Sequence, residues 1–180
     1  MKEKFFKTTR EYIVLIATSL LAVFFVRTFV AQPFVVNGSS MEPTFHTNEY
    51  LIVDQLSYEL GEPQRGDVVI FRYPLSPSRF FIKRVIGLPG ETVRITGTKV
   101  EVKKVGEKDF ITLDEPFVEF KKESKLEMIL KNDEYFVMGD NRSVSLDSRS
   151  WGPLNKSFIV GKAFVRLFPP SKIDFLPGSY

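Results

Sequence analysis

Phe80-Phe81-Ile82-Lys83-Arg84-Val85-Ile86 is an apolar run with two cations at its centre. Its aromatic and β-branched residues read as a strand. Successive strand side chains point to opposite faces. Phe81, Lys83 and Val85 therefore share one face, and Ile82, Arg84 and Ile86 share the other. Lys83 projects between two apolar neighbours, where burial disfavours an ammonium ion. To be a free amine near neutral pH, a lysine must fall from about 10.4 to about 8, or about 3 kcal/mol against the charged form. Desolvation supplies this at a buried site. Arg84, permanently charged, is expected on the other side of the strand, paired with a carboxylate.

Further short apolar runs lie on both sides of this one, bounded by Gly, Pro, Asn and Asp. Tyr50 to Val53, Asp67 to Tyr73, Thr92 to Ile95, Lys99 to Lys103, Tyr135 to Met138 and Gly161 to Leu167 also read as strands. Ser124 to Leu130 is the best short helix candidate. The class is mainly β, with strands that must close or pack on one another to remove their edges. Residues 97–133 differ in tone, being dominated by Lys and Glu, and read as a small charged β insert. The core then comprises residues 31–96 and 134–180.

The chain has 180 residues, 43% of them hydrophobic, which is enough for one domain or one domain with an insert. It has no cysteine, so disulfides and thiolate metal sites are excluded. A single histidine argues against an all-protein zinc site, and no cofactor is implied. The net charge of +3 comes from interleaved lysines and glutamates, which reads as a solvated surface and not as a nucleic-acid face.

The N-terminal segment is different. All eleven glycines lie at or beyond Gly38, and ten of the eleven prolines lie beyond Phe34. Residues 1–11 carry Lys2, Lys4, Lys7 and Arg10 against Glu3 and Glu11. Tyr12 to Val26 is an uncharged apolar run with no amphipathic face. With Arg27 near its end, the run is expected to form a transmembrane signal anchor over residues 12–30, ended by Pro33. The basic start predicts a cytoplasmic N-terminus and a domain across the membrane. Phe29, two before Ala31, makes a poor signal-peptide cleavage site.

Two polar stretches carry candidate chemistry. Asn37-Gly38-Ser39-Ser40-Met41-Glu42-Pro43-Thr44 offers a serine, which is a weak nucleophile until a base takes its proton. His46, six residues on, would reach Ser40 only by a tight reversal and reads as a surface residue. Lys83 is the better base. Gly139-Asp140-Asn141-Arg142-Ser143-Val144-Ser145-Leu146-Asp147-Ser148-Arg149 is dense in hydroxyls and paired charges. Asp140, Arg142, Asp147 and Arg149 are candidates for an ion-pair frame. Ser145 or Ser148 is a candidate partner for the Lys83 amine.

Taken together, Gly38 to Thr44, Arg65 to Phe71, Lys83 to Glu91 and Gly139 to Arg149 resemble, in order, the boxes of bacterial type I signal peptidases. These are membrane-anchored serine endopeptidases with a Ser/Lys dyad, and the match covers Phe34 to Gly152. The resemblance implies a β core shared with self-cleaving repressors. It implies Ser40 as nucleophile, Lys83 as general base, Ser145 as the residue holding the amine, and Arg84 with Asp140, Arg142, Asp147 and Arg149 as support. It implies apolar substrate pockets at Phe34, Val36, Met41, Phe45, Leu51, Ile70, Phe81 and Ile82. Where some relatives have a serine that donates to the oxyanion, this chain has Gly38. The implied partners are signal-peptide-bearing precursors and membrane lipid, at the plasma membrane with the catalytic domain outside.

Two other readings compete. A self-cleaving Ser/Lys protease calls for an N-terminal DNA-binding domain, and this sequence has an apolar segment in its place. A non-catalytic anchored β module explains the strands but not a lysine between Phe81 and Val85.

Overall fold

The computed structural model describes residues 2–25 and 31–179. In chain order the elements are α1 (Lys2–Phe25), β1 (Ala31–Val35), β2 (Tyr50–Asp54), α2 (Leu56–Leu60), β3 (Val68–Tyr73), β4 (Ser76–Gly87), β5 (Thr92–Gly97), β6 (Lys99–Lys103), β7 (Ile111–Thr112), β8 (Ser124–Ile129), β9 (Glu134–Met138), α3 (Ser148–Trp151), β10 (Leu154–Asn155), β11 (Ile159–Phe168) and β12 (Asp174–Phe175). The larger sheet runs β1-β2-β11-β3-β4-β9-β10, with β12 beside β11, and the smaller runs β7-β6-β5-β8. The architecture is mainly β.

The run Val68-Val69-Ile70-Phe71 lies near the middle of the larger sheet and is apolar at every position because both its faces are covered. Val68 and Ile70 join Val36, Met41, Phe45, Leu51, Val53 and Ala163 on one side. Val69 and Phe71 join Val85, Tyr135, Val137 and Leu154 on the other. A third cluster, including Ile86, Val93, Val102, Phe136 and Met138, fastens the smaller sheet to the larger. Burying side chains of this size stabilises by about 1.5–3 kcal/mol each.

β4 positions the chemistry. It pairs with β3 so that Lys83 faces Val69 and Arg84 faces Val68. β9 pairs with β4 only from Arg84 to Gly87. Among the described residues, the other edge of Phe80–Lys83 therefore has no strand beside it. The sheet curls until Phe34 of β1 meets Phe80 of β4, with ring centroids 5.3 Å apart, although three strands lie between them in the sheet.

Three expectations change here. The transmembrane helix is not seen: among the described residues no helix is long and apolar enough to cross a membrane. The physical reason lies in α1 itself. Its first turns carry charged residues, and its uncharged part, Tyr12 to Phe25, rises only about 21 Å against the roughly 30 Å of a bilayer core. The remainder of the expected span, residues 26–30, lies outside the described residues.

Ser124 to Leu130 is not a helix, because Ser124–Ile129 forms β8. Its side chains alternate between half-buried and exposed, and its backbone pairs with β5 along the whole length. Pro33 does not simply end the N-terminal segment but sits inside β1. That strand pairs only with β2, and an edge strand tolerates a residue without an N–H.

Candidate active site

Ser40 sits on a turn between β1 and β2, held from two sides. The Glu42 N–H donates to the Ser39 carbonyl at 3.2 Å, and the Phe45 N–H to the Met41 carbonyl at 2.9 Å. Behind it, the Asn141 N–H donates to the Ser40 carbonyl at 3.1 Å, tying the turn to the loop after β9.

The Lys83 side chain comes up from β4 to meet this turn. Its Nζ lies 2.7 Å from Ser40 Oγ and 2.8 Å from the Ile82 carbonyl, to which it donates. Only 3% of Lys83 is exposed. Burial pushes its pKa down to about 8, against the opposing pull of the Asp147 and Asp140 carboxylates. The alternation of the strand thus delivers one amine, largely desolvated, to one hydroxyl.

On the other face of β4, Arg84 is fully buried and forked onto Asp140. Its Nε donates to Oδ1 at 2.9 Å and its Nη2 to Oδ2 at 2.6 Å. Nη1 donates to the carbonyls of Gly66 and Gly178, and the Phe117 ring covers the guanidinium at 4.0 Å. Asp140 Oδ2 also accepts from the Thr44 hydroxyl at 2.6 Å, four residues beyond Ser40. This fork-on-carboxylate geometry is the strong form of an ion pair.

The remaining charges bind the loop to itself and to Glu115, in the segment between β7 and β8. Asp147 accepts from Arg149 Nε at 2.8 Å and Nη2 at 2.9 Å, and from the Gly139 N–H at 3.1 Å. Arg142 Nε donates to the Gly139 carbonyl at 3.0 Å, and its two terminal nitrogens grip Glu115 at 2.9 and 2.5 Å. Residue 139 must be glycine in this setting. A Cβ there would fall against the Ser40 carbonyl oxygen and the Ser145 side chain.

Several expected positions lie elsewhere. Ser145, expected on the Lys83 amine, accepts from the Gly139 N–H at 3.1 Å instead, and Ser148 accepts from the Val137 N–H at 3.0 Å. The amine's second partner is a carbonyl of its own strand. Six of the expected pocket residues, Phe34, Val36, Leu51, Ile70, Phe81 and Ile82, line one cleft of about 610 Å³ together with Ser40 and Lys83. Met41 and Phe45 do not line it. They are buried beneath the turn and support it. His46 lies 3.7 Å from the Glu42 carboxylate, with 44% of its side chain exposed, and does not line the cleft.

Gly38 lines the cleft and has φ +101°, a conformation that disfavours any side chain. Its N–H is already spent on the Thr47 hydroxyl at 3.1 Å.

The cleft also contains residues that the sequence does not single out. Arg79 and Phe80 extend it along β4, and Val144 and Leu146 close it from the loop. Val144 and Leu146 are apolar yet exposed, at 60% and 45%, within an otherwise polar stretch, and that mismatch is the signal that marks them. Glu115 carries no such signal among its charged neighbours.

A serine hydroxyl lies against a desolvated amine at the floor of an apolar groove, the pairing that a hydrolase of the Ser/Lys type requires. The chain belongs to the signal peptidase family, peptidase S26, whose model matches residues 9–168. It is 37% identical over 165 residues to a protein of Synechocystis sp. named "Probable signal peptidase I-2", covering 88% of this chain and 73% of that one. It is 36% identical over 180 residues to the signal peptidase I of Leptolyngbya laminosa, covering 94% and 86%. The signal peptidase I of Pseudomonas aeruginosa is 33% identical over 207 residues, covering 88% and 72%. A crystal structure of a signal peptidase I from Enterococcus faecalis is 25% identical, covers 57% of this chain and 97% of that one, and has a TM-score of 0.48.

Proposed function

We propose that this enzyme removes signal peptides from precursor proteins with Ser40 as nucleophile and Lys83 as general base. The observation that carries the reading is the 2.7 Å approach of Lys83 Nζ to Ser40 Oγ in a cleft where burial brings the amine to about 8. A precursor chain lies extended in the cleft, adding to the free edge of Phe80–Lys83. The neutral amine accepts the Ser40 proton as Oγ attacks the scissile carbonyl. The ammonium then gives that proton to the leaving amine, and an acyl-enzyme remains. A water molecule, deprotonated by the same amine, releases the acyl group. The Ser40 N–H points the peptide dipole at the developing oxyanion. The Gly38 N–H is committed to Thr47 and is not the second donor.

The frame around the dyad keeps its geometry without entering the chemistry. Arg84, Asp140 and Thr44 fix the turn, and Asp147, Arg149 and Arg142 fix the loop behind it. Ser145 acts through Gly139. The apolar walls at Phe34, Val36, Leu51, Ile70, Phe81 and Ile82 accept small side chains next to the scissile bond. Residues 97–133 form a lobe whose part is structural.

We further propose that the enzyme works at a membrane surface, on the side where exported precursors emerge. Exposed Phe164, Leu167, Phe168 and Phe175, with exposed apolar residues of α1 such as Ile13, Leu20 and Leu21, support contact with lipid.

The test is cleavage of a signal-peptide-bearing precursor by the full chain. Ser40→Ala and Lys83→Ala should each abolish processing while remaining folded. Processing at near-normal rate by either variant would reject the dyad.

A further inference from the structure

Sixteen residues line the cleft, and only two of them carry ionisable side chains: Lys83 and Arg79. The role of Lys83 follows from Ser40, whereas Arg79 has no such partner. It is exposed, and no carboxylate among the described residues pairs with it. Its guanidinium carbon stands 5.4 Å from the centroid of the Phe81 ring. That ring is itself fixed, stacked on Tyr73 at 4.5 Å and 13°. Lys83 Nζ lies 5.4 Å from the same centroid, so the two groups are no more than about 11 Å apart.

We infer that Arg79 is a specificity-determining residue: it selects precursor peptides with an acidic side chain three or four residues from the scissile bond, and disfavours basic ones there. The inference rests on the proposed reading of the cleft as the peptide site. An extended chain rises about 3.3 Å per residue, so a separation near that limit spans about three residues of peptide. Arg79 and Lys83 are themselves four residues apart on β4.

A peptide side chain at that distance meets a guanidinium resting on an aromatic shelf, with apolar Phe34 and Phe80 close by. A carboxylate there gains a forked, charge-assisted contact. An ammonium or guanidinium there is repelled. Apart from Lys83, the rest of the lining carries no formal charge.

The experiment uses the full chain and a set of precursor peptides with Glu, Gln or Lys at each of positions two to five on either side of the scissile bond. The quantity read is the ratio of kcat/KM for the Glu peptide to that for the Lys peptide, in wild type, Arg79→Gln and Arg79→Glu. Each ratio is internal to one protein preparation, so partial unfolding of a variant cancels. In wild type the ratio should peak at about 10-fold, three or four residues from the bond on one side, and fall as ionic strength rises. Arg79→Gln should bring it within about 2-fold of unity, and Arg79→Glu should invert it. Equal ratios in all three proteins would overturn the inference. Failure of wild type to cleave the Gln peptide would overturn the reading of the site and the inference with it.

Discussion

Glu115, in the small lobe, grips the guanidinium of Arg142, in the loop behind Ser40, through two parallel contacts at 2.9 and 2.5 Å. Arg142 is 4% exposed and Glu115 11%. This pair joins the lobe to the catalytic loop, since the Nε of the same arginine holds the Gly139 carbonyl. Removing the carboxylate leaves a cation buried without its counter-charge. Glu115→Ala should cost about 3 kcal/mol of stability. Arg142→Met added to it should recover part of that loss, because the buried cation left without a counter-charge is then removed. Urea unfolding of the two variants and wild type measures both effects, and a double variant no better than the single one would deny the coupling.

Activity should follow the ionisation of Lys83. With a pKa of about 8, about one-tenth of the amine is neutral at pH 7. The rate should rise about tenfold between pH 7 and pH 9 and then level off. A rate that stays level between pH 7 and pH 9 would count against Lys83 as the base.

The same lysine should weaken the fold. Its folded pKa of about 8 lies below its ordinary 10.5, so the unfolded chain binds the proton more tightly. Below pH 8 both states hold the proton and the folded state bears the full cost, about 3 kcal/mol. Between pH 8 and pH 10.5 the wild-type protein recovers that stability as the pH rises. Lys83→Met should therefore be inactive yet more stable than wild type at pH 7, with the advantage shrinking towards pH 10.5. Thermal melts across this range test the sign, and a gap that widens with pH would contradict it.

Gly139 is the point where loop and turn touch most closely. An added methyl group must displace both the Ser40 carbonyl and the Ser145 side chain. Gly139→Ala should cost about 1–3 kcal/mol and shift the serine from the amine. The loss of kcat should exceed anything the fall in folded fraction explains. Active-site titration alongside the melt distinguishes the two, and full kcat per folded molecule would count against this role of the contact.

The strands were readable because their apolar runs alternate. Phe81 and Val85 do fall in one cluster, Ile82 and Ile86 in others. The partner of Arg84 was readable only as a class, since nothing local in the sequence says that the carboxylate is Asp140, fifty-six residues away. Met41 and Phe45 enter the expected cleft only through the family resemblance. Burial under the turn depends on how that turn folds back, which spacing does not encode. The Ser124–Ile129 strand was misread because short alternation in a charged stretch resembles a frayed helix until β5 is set beside it. The apolar span expected over residues 12–30 exceeds what α1 supplies, since the uncharged part of that helix is Tyr12 to Phe25.

The bare edge of Phe80–Lys83 has a further consequence. An unpaired strand edge beside apolar side chains is a template for any extended segment, including one from a second, partly unfolded copy of the same chain. The β1 wall and the charge on Arg79 stand guard over it. Colloidal behaviour is thus tied to occupancy of the groove. A tightly bound peptide mimic should slow precipitation of concentrated protein, and neutralising Arg79 should hasten it.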